Sequence, residues 1–143
     1  MQDFWGFKDA RSLQKDVANM PDTILKEQVA LLSDKTGGEL YGKVTNCKVT
    51  KQDIEYEMAS IFDIIVPRLD NYSTTILTMY SHPESEYPIA ITVGSKYISD
   101  LEDFEPKYEC NNKEDFENHI RQILTSKDVL NKVRVLFSKA TII

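Results

Sequence analysis

Apolar and polar residues change rhythm twice along this chain. Leu13, Val17 and Met20, then Ile24, Leu25, Leu31 and Leu32, recur every three or four residues, the spacing of one face of a helix. From Glu39 the period shortens to two and β-branched and aromatic residues dominate, the pattern of strands. After Asn112 helical spacing returns, first in Phe116, Ile120, Ile123 and Leu124, then in Val129, Leu130, Val133, Leu136 and Phe137.

Punctuation divides these blocks into elements. A first short helix is predicted from Ala10 to Met20. Pro21-Asp22-Thr23 starts a second, with Pro tolerated in the first turn and Asp22 near the positive end. Gly37-Gly38 ends it, where the chain enters left-handed backbone space. Strands are predicted over Glu39–Val49, Ile54–Val66, Ser73–Tyr80 and Tyr87–Val93. In the second, Ile54, Tyr56, Met58, Phe62, Ile64 and Val66 are assigned to one side by strict alternation. Pro67 stops that strand, and His82-Pro83-Glu84-Ser85-Glu86 is a turn by composition. Ser95 to Asn112 is the least regular stretch, with room for a short strand at Lys107 to Cys110. Asn112 and Ser126 are placed to cap the last two helices.

Short turns between successive strands favour hairpins. The expected fold is therefore α+β: a four-stranded antiparallel meander sheet with N- and C-terminal helices packed mainly on one face, in a single domain spanning residues 1–143. Hydrophobic content of 41% and charged content of 28% match ordinary globular chains, which sets disorder aside. No apolar run spans a bilayer, and the opening Met1-Gln2-Asp3-Phe4-Trp5 lacks the basic and apolar regions of a signal peptide. A cytoplasmic protein is expected. Cys47 and Cys110 form no CxxC pair and are expected as free thiols.

Charge modifies this picture. The net charge is −6, and residues 84–117 hold ten acids against three bases, while residues 118–143 hold five bases against one acid. An acidic surface repels phosphate backbones, so nucleic acid is not an expected partner. The basic face of the last helix (Lys127, Lys132, Arg134, Lys139) is too modest to argue for a membrane surface.

Motif chemistry is sparse. His82 sits in a turn near Asp70, Tyr72, Tyr80 and Glu84. An intervening strand would separate Asp70 from His82 by about 25 Å at ~3.3 Å per residue, which argues against a base–orienter pair. His119 lies beside the apolar face of Phe116, Ile120 and Ile123 and reads as a core-edge residue. Neither histidine has an HxH or HxxxH partner, so no metal site is expected. Asp100, Glu102, Asp103, Glu105 and Glu109 alternate with Leu101, Phe104 and Tyr108. Calcium would want a central glycine there, and none follows Gly94. A solvated charge run is the simple reading. The functional one is docking of a basic protein segment, with acids steering and aromatics anchoring. Phe4, Trp5 and Phe7 either fold onto the core edge or, if exposed, anchor an interface. No G-x-S-x-G or phosphate-binding loop occurs.

No catalytic residue and no cofactor are assigned. The expected function is a non-enzymatic protein-binding module of adaptor, chaperone-like or immunity type, with Trp5, Asp100, Glu102, Asp103, Phe104, Glu105 and Tyr108 as binding residues. In outline (small, acidic, helices flanking a meander) the chain is similar to secretion-chaperone-like domains, an outline that carries over no individual residue. A small enzyme or ligand-binding domain with a pocket between helices and sheet is the alternative. A homodimer through the sheet or the aromatic N-terminus is compatible with the first reading.

Overall fold

The computed structural model of the chain describes residues 1–49, 54–94 and 106–142. Its elements are α1 (Ala10–Asp16), α2 (Pro21–Lys35), β1 (Tyr41–Lys48), β2 (Met58–Val66), a 3-10 turn (Pro67–Leu69), β3 (Tyr72–His82), β4 (Ser85–Val93), β5 (Tyr108–Cys110), α3 (Lys113–Leu124) and α4 (Lys127–Thr141). The strands form one sheet in the order β1-β2-β3-β4-β5, every neighbouring pair antiparallel. The α+β class with an antiparallel sheet and flanking helices is thus the observed one.

Among the described residues the sheet has five strands rather than the four of the expected meander, the fifth lying where Lys107 to Cys110 left room for a short strand. Tyr108–Cys110 pairs with Ile89–Ile91, and the Lys107 N–H donates to the Ile91 carbonyl at 2.8 Å. Three residues are too short a run for alternation to declare a strand. Pairing with β4 is what makes β5 one.

The predicted punctuation operates locally. Pro21 occupies the first turn of α2, and Gly37 and Gly38 take φ of 62° and 82° just beyond its end. Asn112 accepts from the Asp115 N–H at 2.9 Å, and Ser126 from the Val129 N–H at 3.3 Å, capping α3 and α4. Thr36 adds a connector: its hydroxyl lies 2.9 Å from both the Leu32 and the Leu40 carbonyl oxygens, either of which can take its one proton, and it accepts the Leu40 N–H, tying the end of α2 to the approach to β1.

Phe62, Ile64 and Val66 of β2, Leu77 and Met79 of β3, and Ile89 and Ile91 of β4 join Leu25 and Val29 of α2, Phe116, Ile120 and Ile123 of α3, and Val129, Leu136 and Ala140 of α4 in one buried cluster. A bulge opposite Phe62/Asp63 inserts Ile76, so Ile76 and Leu77 both reach that cluster. Helix α2 lies so close to β1 that a Cβ on Gly42 would overlap the Val29 side chain and press on Phe62. Glycine is required there for approach, not for turning.

Three expectations are corrected. Ile54 and Tyr56 precede β2 and join Ala59, Tyr80 and Ala90 in a separate cluster. The β1–β2 connection closes at the bond from Val49 N–H to Glu57 carbonyl, and beyond it the alternation that would align them with Phe62 no longer applies. Helix α1 stops at Asp16 and buries no residue. In α4, Leu130 and Phe137 are each 40% exposed, because the helix covers the core with a narrower stripe than its apolar residues trace.

Candidate functional site

Two regions bring chemistry-bearing side chains to the surface. One is the arm formed by residues 1–16. Asp9 caps α1 through the Ser12 N–H at 3.0 Å, and the Asp9 N–H returns to the Ser12 hydroxyl, a capping box that fixes how the preceding chain enters the helix. Ahead of that cap, Trp5 meets Phe7 edge-on, with ring centroids 5.6 Å apart. Phe4 and Trp5 are nonetheless 87% and 77% exposed, and no residue of the arm enters either buried cluster. The fold thus takes the exposed branch of the two sequence expectations for these aromatics.

The other region is the corner where the β3–β4 hairpin meets the start of α2. The hairpin turns through Pro83-Glu84, with His82 paired to Ser85. A cavity of about 280 Å³ lies against it, lined among others by Met20, Asp22, Met58, Ser81, His82 and Glu84. The His82 ring stacks on Tyr56 with centroids 4.9 Å apart. Burial pushes the Tyr56 phenol above its ordinary value, with smaller contributions from the Glu109 and Glu55 charges. Asp70 precedes β3 and His82 ends it, so strand length separates them as sequence spacing requires.

His119 has a partner that sequence reasoning missed. Its Nδ1 lies 3.3 Å from the Cys110 Sγ, and its ring stacks on Tyr108 at 4.3 Å between centroids. Only the packing of α3 on β5 creates this contact, and no spacing announces it. The pair resembles a thiol–imidazole nucleophile in distance alone. Cys110 is fully buried, and burial, helped by the Asp115 charge, pushes its thiol up to about 11. A protonated, sealed thiol is a poor nucleophile. Cys47 is exposed on β1, four strand positions from β5, roughly 19 Å at about 4.8 Å per strand, so the two thiols remain free.

Of the binding residues assigned from sequence, Asp100, Glu102, Asp103, Phe104 and Glu105 lie outside the described residues. Tyr108 is half-buried against the core, with the Lys107 ammonium 5.8 Å from its ring centroid. Trp5 belongs to the arm. Among the described residues, the ion pairs are Arg68–Glu39 at 3.3 Å and Lys113–Glu117 at 3.5 Å, so the basic face of α4 is not neutralised by them. No group of three or more His, Cys, Asp or Glu among them is placed to hold a metal ion, and no helix among them is long and apolar enough to cross a membrane. Comparison with family models, curated proteins and solved structures finds no match to this chain.

Proposed function

We propose that this chain is a non-enzymatic, cytoplasmic protein-binding module, of adaptor, chaperone-like or immunity type, for a basic protein partner. The observation that carries the reading is the outward presentation of Phe4 and Trp5 ahead of a capped helix. Trp is a frequent energetic anchor of interfaces, and two large aromatics left in water are most simply explained by a surface that covers them. The net charge of −6 supplies long-range attraction for a basic partner and repels phosphate backbones. A second copy of the chain is the competing occupant of the same aromatics.

The alternative, a small enzyme or ligand-binding domain, has the hairpin-corner cavity in its favour. His82 there has no carboxylate hydrogen-bonded to it among the described residues, so the orienting half of a general-base pair is missing from that support.

The test is affinity capture from native extract at low ionic strength, with wild type and the Phe4→Ala/Trp5→Ala double variant as parallel baits. A basic protein retained stoichiometrically by wild type should be released by moderate salt. The double variant should lose about 2 kcal/mol or more, roughly thirtyfold in Kd. Equal retention by both baits removes the aromatic anchor. If nothing is retained and the wild type sediments as a dimer that the variant abolishes, the occupant is a second copy.

A further inference from the structure

We infer that β1 is a self-association site: its open edge pairs antiparallel with β1 of a second copy, about a two-fold axis, joining two sheets into one. The inference goes beyond the protein-binding reading and uses none of the arm's residues. β1 ends the strand order, and among the described residues only β2 pairs with it. The Val49 N–H donates to the Glu57 carbonyl at 2.8 Å in the same register, which marks that pair as a hydrogen-bonded one. Antiparallel pairs alternate, so Tyr41, Lys43, Thr45 and Cys47 bond to β2. Gly42, Val44, Asn46 and Lys48 therefore turn their N–H and C=O groups outward. β1 is eight residues long, in unbroken register with β2, and carries no proline and no acid. The opposite edge strand, β5, has three residues. Helix α2 does not shield the β1 edge. Val29 packs on Gly42, and Ile24 and Gln28 line a hollow facing α3, so the opposite flank, with Ala30 and Ser33, overhangs the edge. These small side chains leave the backbone groups open, and a long open edge is a template for a further strand.

Charge and register select the occupant. Lys43 and Lys48 are the charged residues of β1, so a basic partner strand is repelled here. A second copy carries a net charge of −6, which attracts a strip holding bases and no acids. Two-fold pairing also satisfies the strand. Only the register that sets Thr45 against Thr45 of the second copy pairs all the outward residues among themselves. Gly42 then meets Lys48 and Val44 meets Asn46, each pair exchanging two hydrogen bonds. Lys43 falls opposite Cys47, so no ammonium faces another. Thr45 lies at the axis in a non-hydrogen-bonded pair, its Cα about 4.5 Å from its counterpart, where the two hydroxyls can hydrogen-bond. An axis normal to the sheet keeps the helices of both copies on one side, and the contact closes at two copies.

Sedimentation of the full chain from micromolar to millimolar concentration should show a monomer–dimer equilibrium. Asn46→Pro removes one outward donor from each copy without touching the β2 ladder, and should raise the dimer Kd roughly thirtyfold. Asn46→Ala, which gives up only the bond accepted from the Ser60 hydroxyl, should leave the dimer in place. A cross-link reads the register without proline's effect on folding. In a Cys47→Ser background, Thr45→Cys should oxidise to a covalent dimer. Lys43→Cys, whose thiols would lie about 13 Å apart along the strands at ~3.3 Å per residue, should not. Phe4→Ala with Trp5→Ala should leave the dimer intact, so this inference and the aromatic anchor fail separately. A wild type that stays monomeric throughout overturns the inference, as does a dimer indifferent to Asn46→Pro or cross-linked equally by both cysteine variants. A monomer whose β1 amide resonances shift saturably with an alternating Glu-Val hexapeptide assigns the edge to an acidic strand and overturns the second copy.

Discussion

The two faces of the sheet are built from the same strands and behave differently. On the helix side, eighteen buried residues drawn from the sheet, α2, α3, α4 and the approach to β1 form one cluster. On the other side the described residues contribute five: Ile54, Tyr56, Ala59, Tyr80 and Ala90. Away from that small cluster the second face carries Lys43, Thr45, Cys47 and Asp63, with Asp63 bonded to the Thr75 hydroxyl at 2.6 Å. Cohesion is concentrated on one face.

The sharpest way to break this contrast is a matched pair of truncations. Phe116→Ala, in the middle of the helix-side cluster, should cost about 3–5 kcal/mol in urea denaturation. Ile61→Ala, half-buried on the opposite face, should cost only about 1 kcal/mol. Equal losses would show that the second face carries as much cohesion as the first. Next in size, Gly42→Ala should cost about 1–3 kcal/mol through overpacking against Val29 and Phe62, with Val29→Ala in the same chain recovering part of the loss.

Thiol chemistry samples the same asymmetry. A water-soluble disulfide reagent should modify Cys47 rapidly and Cys110 only after denaturation. The alkaline branch of stability follows from Cys110. Its thiol keeps its proton in the folded state up to about 11, against an ordinary 9.0. Between these values the unfolded chain binds fewer protons, so folded stability is intact below pH 9 and falls as pH rises toward 11. Cys110→Ala should flatten that descent. Tyr56, Tyr80 and Tyr87, all raised chiefly by burial, should steepen its upper end. The smallest effect is expected from Tyr87→Phe. Among the described residues the Tyr87 hydroxyl is buried without a hydrogen-bond partner, so its removal should be neutral or stabilise by up to about 1 kcal/mol. A clear destabilisation would mean that a polar contact forms there in solution.

Amino-acid order alone determined what depends on near neighbours. Pro21, the Gly37-Gly38 stop, the Asn112 and Ser126 caps and the β3–β4 turn act within four or five residues, where backbone sterics and side-chain caps dominate. Alternation likewise told the helix-facing residues of β2 from Phe62 to Val66. Tertiary structure decided whatever needs two distant segments to meet: the fifth strand, which exists only by pairing with β4, the transfer of Ile54 and Tyr56 to the opposite face, the Cys110–His119 contact, and the exposure of Trp5. The cavity is the extreme case, since Met20, Met58 and Ser81 belong to three separate segments and none carries a motif. Local rules act through covalent connection and are written in every short window of sequence. A hollow is space that packing leaves unfilled, and only the assembled fold has one.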